Sequence, residues 1–130
     1  MEQFKKNYVQ ACDYLKRSTE RPDVSKYSEK KQKRLNADHD LETILEANNM
    51  IANDGEPWEA DLADTTQEKW YPGFSIDKEP DAPGGFRLSF YVCYYDGANA
   101  LLGARHSCKT RSLAQFMGEN CADIYHDTLS

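Results

Sequence analysis

Three histidines, His39, His106 and His126, are the side chains whose ordinary pKa suits proton transfer near neutral pH. Aspartates flank His39, and another aspartate follows His126. Adjacent residues of a helix point in different directions, so these neighbours do not predict acid–base pairs. We therefore expect surface histidines without a catalytic role.

Cysteine is the second residue type that could do chemistry. The chain has four cysteines, and they are Cys12, Cys93, Cys108 and Cys121. Cys93 and Cys108 with His106 would form a metal site if they met, but structural zinc sites usually show tightly paired ligands, and no CxxC pair occurs. The pattern also differs from a disulfide framework. We expect reduced thiols, mostly buried, and no metal.

Carboxylates gather in an acidic stretch before residue 70. Its members are Glu56, Glu59, Asp61, Asp64 and Glu68. Oxygen ligands suit Ca²⁺, but a calcium loop also needs ordered spacing and a central glycine, and this stretch has neither. We interpret these side chains as solvated acids.

Recognisable catalytic and cofactor motifs are missing from the sequence. It contains no GxxxxGK[ST] phosphate loop, no GxGxxG after a strand, no HExxH and no GxSxG. We therefore expect a protein that is not an enzyme, with no catalytic residues and no cofactor.

Aromatic side chains remain as candidates for a contact surface. The candidate surface consists of Trp58, Trp70, Tyr71, Phe74, Arg87, Tyr91, Tyr95 and Arg105. Aromatic residues dominate the energetics of protein interfaces, which predicts an accessory module that binds itself or another protein. The alternative is a single-stranded nucleic-acid binder, in which tyrosines stack on bases and arginines follow the backbone. A third possibility is that these residues only fill the core.

Charge separates the chain into two unequal parts. The 130 residues carry a net charge of −6, yet residues 1–35 hold ten basic and five acidic side chains, and residues 36–130 hold six and seventeen. The acidic majority disfavours nucleic-acid binding over the whole surface, although a local basic patch stays open. With no apolar run of membrane-spanning length, we expect an acidic cytoplasmic protein that does not bind membranes.

The length predicts a single domain over residues 1–130. Hydrophobic spacing predicts helices over 1–20 and 28–53, the second with a possible interruption at 36–38. An irregular strap follows over 55–84, with a short strand at 73–77. A β-hairpin is predicted over 85–108 and a helix over 110–127. The fold class is α+β, with a small antiparallel sheet of about three strands against N-terminal helices and a C-terminal helix.

The strand over 86–95 supplies the sheet with two faces. Simple alternation places Phe86, Leu88, Phe90, Val92 and Tyr94 on one face and Arg87, Ser89, Tyr91, Cys93 and Tyr95 on the other. The final helix should lie across this hairpin, and Gly118 within it suggests the close approach of another backbone. A cover over the Tyr91 face, from this chain, a second copy or a ligand, remains open.

Three segments of the chain resemble a group of short, uncharacterised proteins encoded on prophages and mobile elements of Bacteroides-like gut bacteria. The matching segments are Thr66 to Phe74, with its Lys-Trp-Tyr-Pro-Gly-Phe run, Gly103 to Thr110, and Leu113 to Tyr125. In that group a second aromatic often follows the proline, where this chain has Gly73. The resemblance implies a setting on a mobile element and no assigned activity.

Overall fold

A computed structural model describes residues 2–96 and 106–129. In chain order, its elements are helix α1 (Tyr8–Leu15), helix α2 (Glu29–Ala52), strand β1 (Lys69–Lys78), a 3₁₀ turn (Pro83–Gly85), strand β2 (Phe86–Asp96), helix α3 (Arg111–Asn120) and helix α4 (Ala122–Leu129). The protein is therefore α+β, as predicted.

Helix α1 is shorter than the predicted helix over 1–20. Asn7 caps its start by accepting a hydrogen bond from the Gln10 N–H at 2.9 Å. Lys16 adopts a left-handed conformation with φ of 58°, which ends the helix six residues before Pro22. Local capping therefore sets both ends of α1.

Helix α2 is continuous from Glu29 to Ala52, without an interruption at 36–38. Ser28 caps its start, and Gly55 follows its end with φ of 89°. Its apolar stripe, which includes Leu41, Ile44 and Leu45, is buried against α1 and α3. None of the described helices combines the length and apolar character that a bilayer span requires.

The sheet has two strands among the described residues, where about three were expected. β1 and β2 pair antiparallel from Lys69 opposite Asp96 to Lys78 opposite Phe86. β1 is also twice as long as the short strand predicted at 73–77. The register shifts between Gly73 and Phe74, which pair with Val92 and Phe90. Tyr91 is thus the extra residue of a β-bulge.

The sequence predicts that the strand ending at Cys108 pairs with β2, and this pairing is wrong at the end of the strand that the structure describes. Cys108 exchanges two backbone hydrogen bonds with Trp70, at 2.9 and 2.8 Å. Both bonding groups of Trp70 point away from its β2 partner, Tyr95, so Cys108 lies on the other edge of β1. Residues 97–105, which hold most of the predicted hairpin, lie outside the described part.

Two helices occupy the place of the single helix predicted over 110–127. Thr110 caps α3 by accepting a hydrogen bond from the Leu113 N–H at 3.2 Å. Cys121 leaves the helical region with ψ of 20°, and the chain resumes as α4. A turn at a buried residue directs α3 under the sheet and lets α4 contact both α2 and β2.

The core lies between α2 and the α3 helix. Leu41 and Ile44 of α2 meet Leu113 and Met117 of α3, and all four are fully buried. Trp70 and Cys93 of the sheet pack on the same cluster. The architecture is therefore layered, with the sheet on α3 and α4, and with α2 and α1 behind them.

Candidate functional site: the outer face of the sheet

The bulge at Tyr91 decides which side chains of β2 face the helices. Before it, Phe90 points inward, because a Cβ atom on Gly118 of α3 would lie 2.1 Å from the Phe90 ring. After it, Cys93 points inward and its Sγ lies 3.7 Å from the Arg111 carbonyl oxygen. Residues 90 and 93 share a face only because the bulge inserts one residue. The predicted alternation is therefore wrong beyond Phe90.

The outer face of the sheet holds a cluster of tyrosines. On this face Tyr94 covers Gly73, where an added Cβ would lie 2.2 Å from the Tyr94 ring. Tyr71 is paired with Tyr94, Val92 is paired with Gly73, and Tyr91 stands beside them at the bulge. We call Tyr71, Tyr91, Val92 and Tyr94 the tyrosine face.

Exposure differs between the members of the tyrosine face. Tyr91 is 69% exposed and Tyr94 is 52% exposed, whereas Tyr71 and Val92 are half-buried. The Tyr71 hydroxyl lies 2.8 Å from the Ser107 Oγ, which fixes the ring from the side of residues 106–108. The tyrosine face thus consists of two half-buried side chains, Tyr71 and Val92, and two exposed tyrosine rings.

Two carboxylates and one arginine border the tyrosine face. Arg87, opposite Asp77 in the register, makes two contacts with the Glu79 carboxylate, each of 2.9 Å. The Ser89 hydroxyl donates to the Asp77 carboxylate at 3.4 Å. The only arginine of β2 is therefore already matched by a carboxylate.

The structure separates the predicted contact residues into groups. Tyr71, Arg87 and Tyr91 are together on or beside the tyrosine face. Trp70 and Phe74 face the helices, where Trp70 packs on the core and the Phe74 ring lies 5.1 Å from the Tyr125 ring. These two residues are therefore not part of the outer surface, contrary to the prediction.

The remaining predicted contact residues also lie away from the tyrosine face. The Tyr95 ring packs edge-on against Trp70 on the inner side at 5.1 Å, although Tyr95 is 55% exposed at the end of the sheet. Trp58 lines a cavity of about 490 Å³ between α2 and the strap. Arg105 lies outside the described residues.

Tyr94 is the functional candidate that sequence reasoning missed. Simple alternation had assigned it to the core face, whereas the bulge turns it outward. The one local signal was Gly73, because a glycine in a strand often marks a bulge or the close approach of another group.

Two adjacent asparagines of α2 hold distant backbone segments and were likewise missed. The Asn48 amide accepts from the Lys5 N–H at 2.6 Å and donates to the Lys5 carbonyl at 3.0 Å. The Asn49 amide accepts from the Lys109 N–H at 2.7 Å and donates to the Ser107 carbonyl at 2.9 Å. Asn49 thereby positions the segment on which the Tyr71 hydroxyl rests.

The cysteines and histidines have structural surroundings. All four thiols are free, and burial raises the pKa of Cys108 far above its ordinary value and that of Cys121 to about 12. Such thiols stay protonated and are poor nucleophiles. The three histidines are half-buried, and His126 donates from Nε2 to the Phe86 carbonyl at 2.9 Å.

Within residues 2–96 and 106–129, no three His, Cys, Asp or Glu side chains gather closely enough to hold a metal ion. Comparison of the chain with models of protein families, with curated proteins and with solved structures found no match.

Proposed function

We propose that the protein is a non-enzymatic accessory module that binds another protein through the tyrosine face. The observation that carries the proposal is the strong exposure of Tyr91 and Tyr94 on a sheet face that carries no described helix. Such rings offer a large contact area, and their hydroxyls add hydrogen bonds.

The border charges support a protein partner over a nucleic acid. A groove for single-stranded nucleic acid needs free cations along the backbone path, but Arg87 is engaged by Glu79 and stands opposite Asp77. An aromatic patch whose rim carries an arginine paired with a carboxylate has the composition of a protein interface. On the described part of the sheet, the nucleic-acid alternative therefore keeps its stacking tyrosines, whereas Arg87, which would contact the backbone, is engaged by a carboxylate.

The setting that we propose is the cytoplasm of a bacterium that carries a mobile element. The support is the resemblance in the Lys69–Phe74 segment and in the C-terminal segment, together with the acidic, strongly polar composition. The β1 segment that carries the resemblance also supplies Tyr71 of the tyrosine face, whereas Gly73, which the Tyr94 ring covers, is where the chain departs from that group.

Site-specific photocrosslinking tests the proposal. A benzophenone amino acid would replace Tyr91 or Tyr94 in cells that naturally produce the chain, with Tyr27 as the matched control because it is also exposed, at 46%, but lies before α2. We expect a discrete protein adduct from positions 91 and 94 and none from position 27. An adduct of twice the chain mass would identify a second copy as the partner.

Two results would contradict the proposal. One is the absence of any protein adduct from positions 91 and 94 at full expression. The other is a nuclease-sensitive adduct together with binding of fluorescent oligo-dT at low micromolar protein, since this pair of results would favour the nucleic-acid alternative.

A further inference from the structure

A second cavity lies on the inner side of the sheet, where the start of β2 meets α4 and the 3₁₀ turn. Its volume is about 420 Å³, which is within the range of small-molecule sites. Its floor is apolar and consists of Ala82, Pro83, Phe86, Leu88 and Ala122. This cavity is separate from the tyrosine face, because Phe86 and Leu88 belong to the inner face of β2.

The cationic groups of this cavity are already used. Arg87, the only Lys or Arg among the described residues of the lining, makes its two 2.9 Å contacts with Glu79. The His126 ring stacks on Phe86 at a centroid distance of 4.2 Å, and its Nε2 donates to the Phe86 carbonyl. An anionic ligand would therefore find no uncommitted basic side chain among the lining residues.

The acidic groups of the rim are not compensated in the same way. Asp81 from the loop after β1 and Asp123 from the first turn of α4 both line the cavity, and both are exposed. No ion pair among the described residues includes either carboxylate. Asp123 also counters the positive end of α4, so the helix terminus does not attract an anion.

We infer that this cavity binds a small organic cation with an apolar body, such as an aryl or alkyl amine. The apolar floor would bury the hydrocarbon part, and the two rim carboxylates would face the ammonium group. The volume of the cavity, its apolar floor and its negative rim together favour this class of ligand. A neutral ligand would make no ionic contact with the rim carboxylates, and an anion would be repelled by them.

Three probes of similar shape separate the charge from the apolar body. Phenethylamine, 2-phenylethanol and 3-phenylpropanoate would be titrated into ¹⁵N-labelled protein at pH 7 and low salt. We expect saturable amide shifts at residues 79–88 and 122–126, with the amine bound about 5- to 20-fold more tightly than the alcohol and the carboxylate bound most weakly. Salt at 0.5 M should reduce the difference in affinity between the amine and the alcohol, because salt screens the attraction between exposed charges.

Matched variants assign the preference to the rim. The double variant Asp81→Asn, Asp123→Asn should bind the amine no more than about 3-fold more tightly than the alcohol. The control Asp13→Asn with Asp54→Asn removes the same charge elsewhere and should leave the ratio within about 2-fold of the wild type. Ala122→Leu should abolish binding of both probes by filling the floor, in a protein whose spectrum remains folded.

Three outcomes would overturn the inference. They are equal affinities for amine and alcohol in the wild type, an unchanged preference in the Asp81/Asp123 variant, and no shifts at residues 79–88 and 122–126 at 20 mM amine. None of them bears on the tyrosine face, so failure here is distinguishable from failure of the proposed function.

Discussion

Gly118 lies where α3 passes under the sheet. Whether its replacement by alanine stabilises or destabilises the protein depends on the contact between α3 and the sheet. The new Cβ would lie 2.1, 2.5 and 2.9 Å from three carbons of the Phe90 ring. Contacts this short require the ring to move. Phe90 belongs to β2 and its half-buried ring lies against α3, so its movement disturbs the sheet as well as the helix.

Two opposing terms decide the magnitude of Gly118→Ala. Helix propensity favours alanine by about 1 kcal/mol, whereas overpacking of a core contact costs about 1–3 kcal/mol and occasionally more. Because the overlap exceeds an ångström, we expect the upper end of the cost and a net destabilisation of about 2 kcal/mol. For a chain of this length, that corresponds to a melting temperature lowered by roughly 7 °C.

Urea denaturation of Gly118→Ala, Phe90→Ala and the double variant measures the free-energy cost of this overlap. Phe90→Ala removes the three ring carbons that the new Cβ would strike, so the double variant should be at least about 1 kcal/mol more stable than the sum of the single effects predicts. The reasoning would be refuted if Gly118→Ala alone stabilised the protein by the helix-propensity term, since α3 would then not touch Phe90.

Three further predictions concern the supports of the site. Asn48→Ala should lower the free energy of unfolding, measured by urea denaturation, by about 2–4 kcal/mol, because the Lys5 backbone loses both of its hydrogen bonds to Asn48. The control Asn120→Ala, at an exposed position, should change it by less than about 0.5 kcal/mol. Equal effects of the two variants would contradict the role of Asn48 in holding the backbone. Burial raises the pKa of Cys121 to about 12, so the unfolded thiol ionises first and stability should fall above pH 8.5, by up to about 1.4 kcal/mol per pH unit for this thiol. Cys121→Ala should reduce that slope, and an unchanged slope would refute the assignment. Gly73→Ala should shift the urea midpoint by less than half as much as Gly118→Ala, since the half-exposed Tyr94 ring is free to swing outward.

Local sequence signals predicted the helices and strands better than they predicted which of these elements lie next to each other. The helix-favouring run after Ser28 and the stop at Gly55 bounded α2 to within a residue, because capping and periodicity are properties of short segments. The stripe of Leu41, Ile44 and Leu45 is buried as expected. The end of α1 was misplaced because the left-handed Lys16 carries no compositional signal.

Long-range pairing explains the main errors. The position of Cys108 beside β1 depends on which strand edge is free, and residue types near Cys108 do not encode that choice. The bulge at Tyr91 inverted the face assignment of every later residue of β2, including Tyr94. Gly118 was correctly marked as a point of close approach, but it contacts the Phe90 ring and not a backbone.

The affinity of the tyrosine face for its crosslinked partner tests the central claim most directly. Tyr91→Ser with Tyr94→Ser would be compared by calorimetry with the wild type and with Tyr27→Ser. We predict binding at least about 100-fold weaker for the double variant, at roughly 1.4 kcal/mol or more for each ring, with unfolding free energies unchanged within about 1 kcal/mol. Affinities within about 3-fold of each other in all three proteins, less than 1 kcal/mol apart, would contradict the account.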